Sequence, residues 1–419
     1  MANQKCILSK FSFTNWKGFE SGELYFDDLS LLIGQNGAGK TNALLALEFA
    51  MGMISNKSIY RLFDDDKFKT RLLTDYERGF SFELTLDFDE NTKYTYSVFH
   101  GTLSGYEHIT KQIISVQRKS DDWTVQNIFI AETSNRNLSI SCVDFDGSNL
   151  LQCVCVDEDV DRRLATRSIF GVSDNILEPA YQKNPLIWRI KEMFARLPQR
   201  YALYVSDNDG LKNISTDDNF LLSESHIAQF LKYSKRPYLD HKKSFACYGN
   251  FLSALHRNLQ ALTGSDKQFE INNYYSPFAY FSPGGFSSGT TKAIAIIIAI
   301  LIAPSGSLLI FENIDEKINP SKMKALVELL QKEGAERGLK ILITTHSTAL
   351  MDAMPDGSYL YTQVCYRSPE TGFSAISSIG GLDTSVELLS RGSLGQNTTS
   401  ELLEKCFLAQ SKTENETQN

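Results

Sequence analysis

One short segment of the chain combines residue types and spacing that suit phosphate binding. It is the run Gly34-Gln35-Asn36-Gly37-Ala38-Gly39-Lys40-Thr41, which has the pattern G-x-x-x-x-G-K-T. Glycines in this pattern let backbone N–H groups surround phosphate oxygens, the lysine reaches the β- and γ-phosphates, and the final hydroxyl ligates Mg²⁺. The sequence therefore predicts that a nucleoside triphosphate and Mg²⁺ bind here, with Thr41 on the metal. The predicted nucleotide-binding residues are Asn36, Gly37, Ala38, Gly39, Lys40 and Thr41 of this segment, together with Asn42 directly after it.

The elements around this segment are those that a phosphate-binding loop needs. The apolar run 29–33 precedes the loop and predicts a buried strand, and the stretch 42–51 follows it with helical character. A helix that begins directly after such a loop directs its positive end at the bound anion. Strand, loop and helix therefore occur in the order that this chemistry requires.

Two strand-like runs in the last third of the chain end in residues that act on phosphates. The run 308–312 ends in Glu312, and an acid at the carboxyl end of a parallel strand can hold Mg²⁺ or its water. The run 341–347 ends in Thr344-Thr345-His346-Ser347, where His346 is a candidate sensor of the γ-phosphate. A lone histidine is more often structural, and its position at a strand end is what favours the functional role.

A serine–glycine segment and an acidic turn complete the set of candidate residues. The segment Phe286-Ser287-Ser288-Gly289-Thr290 precedes an apolar helix predicted at 291–303. Its hydroxyls and N–H groups can bind an anion, although an ordinary helix cap has the same composition. The turn Asp315-Glu316-Lys317-Ile318-Asn319-Pro320 precedes a helix predicted near 321–332.

The order of these motifs resembles the ATP-binding-cassette ATPases of the SMC/RecF type, in the compact form without a long coiled coil. The run Phe13-Thr14-Asn15-Trp16-Lys17-Gly18-Phe19 is similar to that family's N-F-K-G-F opening. Ser287-Ser288-Gly289-Thr290 resembles its signature loop, and Thr344-Thr345-His346-Ser347 resembles its switch-histidine segment. The resemblance covers residues 6–50 and 280–350 and is only architectural between them.

The resemblance implies that two ATP molecules lie between two protomers, so that the chain forms a homodimer or a higher homo-oligomer. Residues of the signature loop, Ser287, Ser288 and Gly289, would contact the γ-phosphate of the partner's ATP, and His346 would contact it in cis. The turn 318–320 would lie at the dimer seam. The resemblance also implies a glutamine that senses Mg²⁺, for which Gln117 is the candidate; Gln112 competes with it, and a polar strand end explains either residue equally well.

The chain departs from the family pattern at the acidic strand. The usual Asp-Glu pair is replaced by Glu312 and Asn313. An alternative alignment makes Asp315-Glu316 the pair, but it places Glu312 and Asn313 inside a buried strand, which costs free energy. Because an amide cannot accept a proton from water, hydrolysis should be slow or should use Asp315 or Glu316 as the base. The candidate catalytic residues are Glu312, which is also a candidate Mg²⁺ ligand, Asn313, Asp315 and His346.

The expected fold class is α/β, an ABC-type P-loop NTPase with a mixed or parallel sheet, an antiparallel β subdomain and an inserted helical subdomain. Short β-rich runs at 80–88, 93–99, 109–116 and 125–131 predict an antiparallel meander. Apolar residues at helical spacing (Ile187, Ile190, Phe194, Leu197) predict helices from about 175 to 270, interrupted by a polar loop at 207–218. Four parts are expected: an N-terminal ATPase lobe at 1–170, a helical insert at 171–278, a C-terminal ATPase lobe at 279–380, and C-terminal helices with a disordered tail at 381–419.

Composition narrows the classes of function. The chain has 419 residues and a net charge of −8, which counts against a broad basic surface for nucleic acid. The first five residues lack the apolar core of a signal peptide, and the longest apolar run, 293–303, is too short to span a bilayer. Cys153 and Cys155 alternate in an apolar stretch and have no metal or disulfide spacing. A cytoplasmic protein without a membrane segment is expected.

No effector chemistry is visible in the sequence beyond the ATPase motifs. The first hypothesis is therefore an ATP-driven switch that controls a separate nuclease or toxin, as compact ATPases of this kind do in bacterial anti-phage systems; this is fold-level analogy. A second is a RecF-like DNA repair ATPase, which keeps nucleic acid open as a partner. A third is an ATP-locked scaffold with little hydrolysis.

Overall fold

The computed structural model describes most of the chain in separate stretches. They are residues 7–65, 68, 79–103, 106–119, 122–134, 137–155, 168–171, 174–207, 210–215, 221–223, 288–355, 357–383, 385, 390, 392–399 and 402–418. The chain divides into two compact units, each assembled from three segments. The first unit comprises Met1–Phe26, Gly34–Tyr201 and Gln363–Ser377, and the second comprises Asp27–Ile33, Ala202–Thr362 and Ser378–Asn419.

The strands, in chain order, are β1 (Ile7–Trp16), β2 (Phe19–Tyr25), β3 (Leu29–Ile33), β4 (Ser81–Asp89), β5 (Thr92–Leu103), β6 (Tyr106–Lys119), β7 (Trp123–Ser134), β8 (Asn137–Val143), β9 (Asn149–Cys155), β10 (Tyr201–Asp207), β11 (Gly210–Asn213), β12 (Leu221–Ser223), β13 (Leu308–Glu312), β14 (Lys340–Thr344), β15 (Gln363–Arg367) and β16 (Ser374–Ser378). The helices are α1 (Lys40–Ile54), α2 (Ile59–Phe63), α3 (Asp174–Lys183), α4 (Pro185–Ala195), α5 (Ser288–Ile302), α6 (Met323–Arg337), α7 (Thr348–Met351), α8 (Leu394–Thr399) and α9 (Leu402–Gln418). Single 3-10 turns connect several of these elements.

The first unit is built on a sheet with the strand order β15-β16-β2-β1-β4-β5-β6-β7-β8-β9. From β2 to β9 every neighbouring pair is antiparallel, which confirms the predicted meander. Buried residues alternate along these strands, as in β4, where Phe82, Leu84 and Leu86 face the core. This alternation indicates a sheet with one face packed on the core and the other exposed to solvent.

An aromatic cluster packs helix α1 of the first unit onto its sheet. Phe49 of α1 has its ring 5.2 Å from that of Trp16, 5.2 Å from that of Phe68 and 5.5 Å from that of Phe80. His100 of β5 stacks on Phe80 at 4.4 Å between ring centroids. Each aromatic side chain buries a large apolar area, so this cluster holds the helix that follows the phosphate loop firmly in place.

The second unit contains three parallel strands in the order β13-β14-β3, extended by β10, β11 and β12. Strand β13 is fully buried and apolar until its last residue, as expected for a strand covered on both faces. Helix α5 is buried along residues 291–300 and contacts β11 and β12. These parallel strands and the antiparallel sheet of the first unit confirm the expected α/β class with mixed strand directions.

The region expected to be a helical insert is only partly helical. Helices α3 and α4 are present, and Ile187, Ile190, Phe194 and Leu197 are buried as predicted. Residues 201–213, however, form the antiparallel pair β10 and β11, and the expected polar loop at 207–218 contains β11. The prediction failed because the helical spacing at 187–197 was extended over the run 201–205, whose aromatic and β-branched residues, followed by Asp and Gly turn residues, are typical of a hairpin. Residues 224–287, which include the last part of the region predicted to be helical, lie outside the described residues.

The C-terminal tail is also not as expected. The polar residues from 412 onward were predicted to be disordered, but α9 continues to Gln418. Leu403 and Phe407 are buried and anchor its first turns. Within the part of the chain that the structure describes, no helix has the length and hydrophobicity needed to cross a bilayer.

Candidate functional site

The phosphate loop begins where β3 ends, and its first glycine is required by close packing. Gly34 has a φ of 145°, and a Cβ at this position would collide with the backbone carbonyl of Cys365 in β15. Cys365 also donates its thiol to the carbonyl oxygen of Ala38, 3.2 Å away. Strand β15, more than 300 positions away in sequence, therefore packs directly against the phosphate loop.

The middle of the loop is open where a phosphate would bind. Gly37 has a φ of 79°, and no heavy atom lies within 4 Å of the position that its Cβ would occupy. Gly39 caps α1 with a φ of 119°, and its missing side chain leaves room for the ring of Phe19 and the hydroxyl of Ser374. Left-handed φ values at these two positions are sterically available to glycine, which explains their identity.

Lys40 lies across the loop. Its Nζ donates to the carbonyl oxygen of Gly34 at 2.7 Å and to that of Gln35 at 3.0 Å, and the side chain is buried. The first turn of α1 carries no acidic residue that would offset the positive end of the helix dipole. The Lys40 ammonium adds a second positive charge at the same place. Thr41 is exposed at the next position. These groups fit a triphosphate with its Mg²⁺: Lys40 and the loop N–H groups would hold the phosphates, and Thr41 would hold the metal.

The opening turn between β1 and β2 is fastened to the start of α1. The indole N–H of Trp16 donates to the carbonyl oxygen of Asn42 at 2.9 Å, and the Asn42 amide donates to the carbonyl oxygen of Lys17 at 3.1 Å. Burial lowers the pKa of Lys17 below its ordinary value. The Asn42 side chain, predicted to bind nucleotide, is thus used here to hold the turn beside the loop.

In the second unit, the carboxyl ends of the parallel strands coincide. The register places Phe311 beside Ile343 and Thr344 beside Leu32, so Glu312 is level with Thr344 and lies near the end of β3. Glu312 is buried at the last position of β13, and Asn313 turns the chain with a φ of 50°. A strand that ends at Glu312 agrees with the preferred alignment, in which Glu312 and Asn313 occupy the places of the usual pair.

The backbone after Glu312 is tied to β14. The N–H of Asn313 donates to the hydroxyl of Thr344 at 2.9 Å, and the N–H of Ile314 donates to the Thr344 carbonyl oxygen at 3.1 Å. Asp315 is half-buried, and its Oδ1 has no hydrogen-bond partner within the described part of the structure, whereas Glu316 is exposed. Of the two candidate bases, Asp315 therefore has the less solvated carboxylate.

His346 follows β14 by two residues and is exposed. The next residue, Ser347, caps the short helix α7 by accepting the N–H of Leu350 at 3.3 Å. Glu312, Asn313, Asp315 and His346 therefore belong to one edge of the parallel strands of the second unit. This is the arrangement that their positions at strand ends predicted.

The described structure includes the second half of the signature segment. Ser287 lies outside the described residues, and Ser288 is exposed at the first position of α5. A Cβ at Gly289 would lie 2.5 Å from the carbonyl oxygen of Lys317. The glycine of this segment is therefore needed for close approach of the turn that follows β13.

The two glutamines on β6 differ in position. The register joins Gln117 to Lys93, Lys93 to Asp87 and Asp87 to Ile7. Gln117 is therefore level with the first residue of β1, whereas Trp16, the last residue of β1, contacts Asn42 at the start of α1. Gln112 is buried and accepts hydrogen bonds from the Tyr96 hydroxyl at 2.7 Å and the Ile169 N–H at 2.8 Å. This geometry does not support a Mg²⁺ contact for Gln117, and Gln112 has a structural role.

Two further features bear on the site. Among the described residues, no group of three or more His, Cys, Asp or Glu side chains could hold a metal without the phosphates. Sequence reasoning missed the buried Lys292, which lies in α5 with 1% of its surface exposed. Its signal was a lysine inside the otherwise apolar stretch 291–303, where a cation is costly unless it has a partner.

One protein-family model matches most of the chain. A family model described as "AAA domain, putative AbiEii toxin, Type IV TA system" matches residues 29–352. No curated protein matches the chain. Among solved structures, the SMC head domain from Thermotoga maritima is 11% identical with a TM-score of 0.34, over 89% of this chain and 98% of that one. The Smc head domain with an extended coiled coil bound to the C-terminal domain of ScpA, from Pyrococcus furiosus, is 12% identical with a TM-score of 0.39, over 92% and 99%.

Proposed function

The chain belongs to the AAA domain family described as putative AbiEii toxin of type IV toxin–antitoxin systems, and from this membership we propose that it is an ATP-driven switch controlling a separate effector. The observation that carries the proposal is the phosphate loop, which is open at Gly37, spanned by Lys40 and followed by a helix start without acids. The toxin system in the family description supports an effector such as a nuclease or toxin. A role in bacterial antiviral defence is part of the proposal.

The proposed hydrolysis is slow, and the residue after Glu312 is the reason. Asn313 stands where the general base is expected, and its amide cannot take a proton from water. Asp315, two residues later, has a carboxylate oxygen without a hydrogen-bond partner among the described residues. We assign to it the activation of water, with Glu312 holding Mg²⁺ or its water. Slow hydrolysis would keep the ATP-bound state long-lived, which suits a switch.

The proposed ATP-bound state is a homodimer. Lys40 and the phosphate loop would bind the nucleotide of their own protomer, and Ser288 and Gly289 at the start of α5 would meet the nucleotide of the partner. Exposure of Ser288 at a helix start supports this assignment, since N–H groups and a hydroxyl there suit a phosphate. His346 would contact the γ-phosphate in cis.

A tagged pull-down from the native host in Mg²⁺-ATP tests effector control, with the Lys40→Ala variant as the matched control. A nuclease or toxin bound in stoichiometric amount to the wild type, and lost in the variant, is the expected result. DNA as the sole bound component would replace the proposal by a RecF-like repair ATPase. Self-association alone would support the ATP-locked scaffold, which Asn313 also favours, particularly if turnover is no faster than in Lys40→Ala.

A further inference from the structure

The turn that carries the candidate base is held from two sides. We call residues 313–318 the acidic turn, because they contain Asp315 and Glu316. On one side, the hydroxyl and carbonyl of Thr344 accept the first two N–H groups of the turn. Inside the turn, the N–H of Glu316 donates to the Asn313 carbonyl oxygen at 3.1 Å, and the N–H of Ile318 donates to that of Asp315 at 3.0 Å.

The second side is formed by helix α5 through Lys292. The Lys292 Nζ donates to the carbonyl oxygen of Asn313 at 2.7 Å and also to the hydroxyl of Ser206. Ser206 lies on β10, where the ring of Tyr204 stacks on that of Phe311 at 5.2 Å between centroids. Tyr204 and Phe311 lie two residues before Ser206 and Asn313, so their stacking aligns the ends of β10 and β13. The Ser206 hydroxyl then lies 3.4 Å from the carbonyl oxygen of Asn313.

The same helix meets the far end of the acidic turn. The carbonyl oxygen of Lys317 packs so closely on Gly289 that a Cβ there would lie 2.5 Å from it. Asn313 and Lys317 have φ values of 50° and 66°, in the left-handed region that residues with side chains adopt uncommonly. Helix α5 therefore contacts the carbonyl oxygens of both left-handed residues of the turn: Lys292 contacts that of Asn313, and Gly289 contacts that of Lys317.

We propose that Lys292 is a positioning residue for ATP hydrolysis, which holds the acidic turn against α5 and so places Asp315. The proposal rests on the proposed function, since α5 begins with the residues that would meet the partner's ATP. A shift of α5 on dimer formation would then move Asp315 through Lys292. Hydrolysis in one site would depend on the signature segment of the same protomer being engaged with the other site.

The charge state of Lys292 supports this role and gives it a pH signature. Burial lowers the pKa of Lys292 to about 8, opposed by Glu316 and Asp315 and reinforced by Lys317. Above that pH the ammonium becomes neutral, and its hydrogen bond to the Asn313 carbonyl loses the charge assistance that makes such bonds strong. Turnover of the wild type should therefore fall as pH rises through about 8.

The test compares Lys292→Met and Lys292→Arg with the wild type and with the exposed-lysine control Lys332→Met. ATP affinity, steady-state kcat and KM from pH 6.5 to 9.5, and amide hydrogen exchange of the acidic turn are measured on the full chain. Lys292→Met is expected to lower kcat by roughly 10- to 100-fold, with ATP affinity and the melting temperature unchanged, and to speed exchange in the turn. Lys292→Arg should retain part of kcat and lose the decline above pH 8, because arginine stays charged.

Unchanged exchange in the turn of Lys292→Met would overturn the proposal. A loss of kcat that merely follows a loss of folded protein, or one that appears as weaker ATP binding, would also overturn it. Failure of the proposed function looks different: wild-type turnover would then be no faster than in Lys40→Ala. In that case hydrogen exchange still decides whether Lys292 holds the turn.

Discussion

At the scale of single residues, the choice between Asp315 and Glu316 as base depends on solvation. Asp315 is half-buried with an unpartnered oxygen among the described residues, whereas Glu316, the next residue of the turn, is exposed. We expect Asp315→Asn to lower the single-turnover rate of ATP hydrolysis about 100-fold, while Glu316→Gln leaves it within about threefold. Equal losses in the two variants would show that the turn as a whole, and not the Asp315 carboxylate, matters.

His100 is expected to make the protein sensitive to acid. It is buried in the aromatic cluster, neither ring nitrogen has a hydrogen-bond partner in the described structure, and burial, with a smaller contribution from His108, lowers the pKa of His100 to about 4. The unfolded chain binds a proton near pH 6.5 and the folded chain does not until about pH 4, so stability falls as pH decreases through this window.

As the pH falls from the unfolded-state pKa to the folded-state pKa of His100, the free energy of unfolding decreases by about 3 kcal/mol. We expect His100→Phe, which preserves the stacking on Phe80, to remove most of that dependence. Urea unfolding of wild type and variant at several pH values from 7 to 4 measures it. Parallel stability curves for the two proteins would exclude His100 as the group responsible.

At the scale of elements, packing and helix propensity disagree about Gly289. Alanine in a helix is favoured over glycine by about 1 kcal/mol, but a Cβ here would lie 2.5 Å from the Lys317 carbonyl oxygen. We expect Gly289→Ala to destabilise the chain by about 1 to 3 kcal/mol, because backbone cannot yield as a side chain can. The matched control is Gly334→Ala in α6, where the Cβ would meet the flexible end of Ile341 at 3.2 Å. A similar change in melting temperature for both variants would contradict the close packing of α5 on the acidic turn.

Elements whose determinants are adjacent in sequence were the ones that could be predicted. The phosphate loop, the strand ending at Glu312 and the helices α1, α5 and α6 each carry their own signal in hydrophobic spacing and turn residues. The family match confirms the P-loop ATPase class that these motifs predicted. The site roles of the individual residues stay predictions until they are tested.

The features that could not be predicted depend on residues far apart in the chain. Lys292 finds its hydrogen-bond partners at Ser206 and Asn313, which are 86 and 21 positions away. The packing of Cys365 on Gly34 likewise cannot be predicted from local sequence patterns. A lysine in an apolar helix indicates that a polar partner exists, but not which one.

At the scale of the whole molecule, the proposed composite site predicts that ATP controls assembly. We expect Mg²⁺-ATP to convert the wild type from a smaller to a larger species in sedimentation velocity, because each nucleotide would need a phosphate loop and a partner's α5. Lys40→Ala should not respond, since it removes the cation that spans the loop. Ser288→Arg should bind ATP normally yet fail to assemble, because the bulky side chain blocks the exposed helix start. An ATP-independent mass in all three proteins would contradict the shared site.

Gly34 is synthesised well before its supporting strand in each new chain. The G-x-x-x-x-G-K-T segment is synthesised first, but Cys365, which packs on Gly34 and donates to Ala38, follows 327 positions after Ala38. We therefore expect a nascent polypeptide to be unable to capture nucleotide until β15 has emerged from the ribosome and folded against the loop.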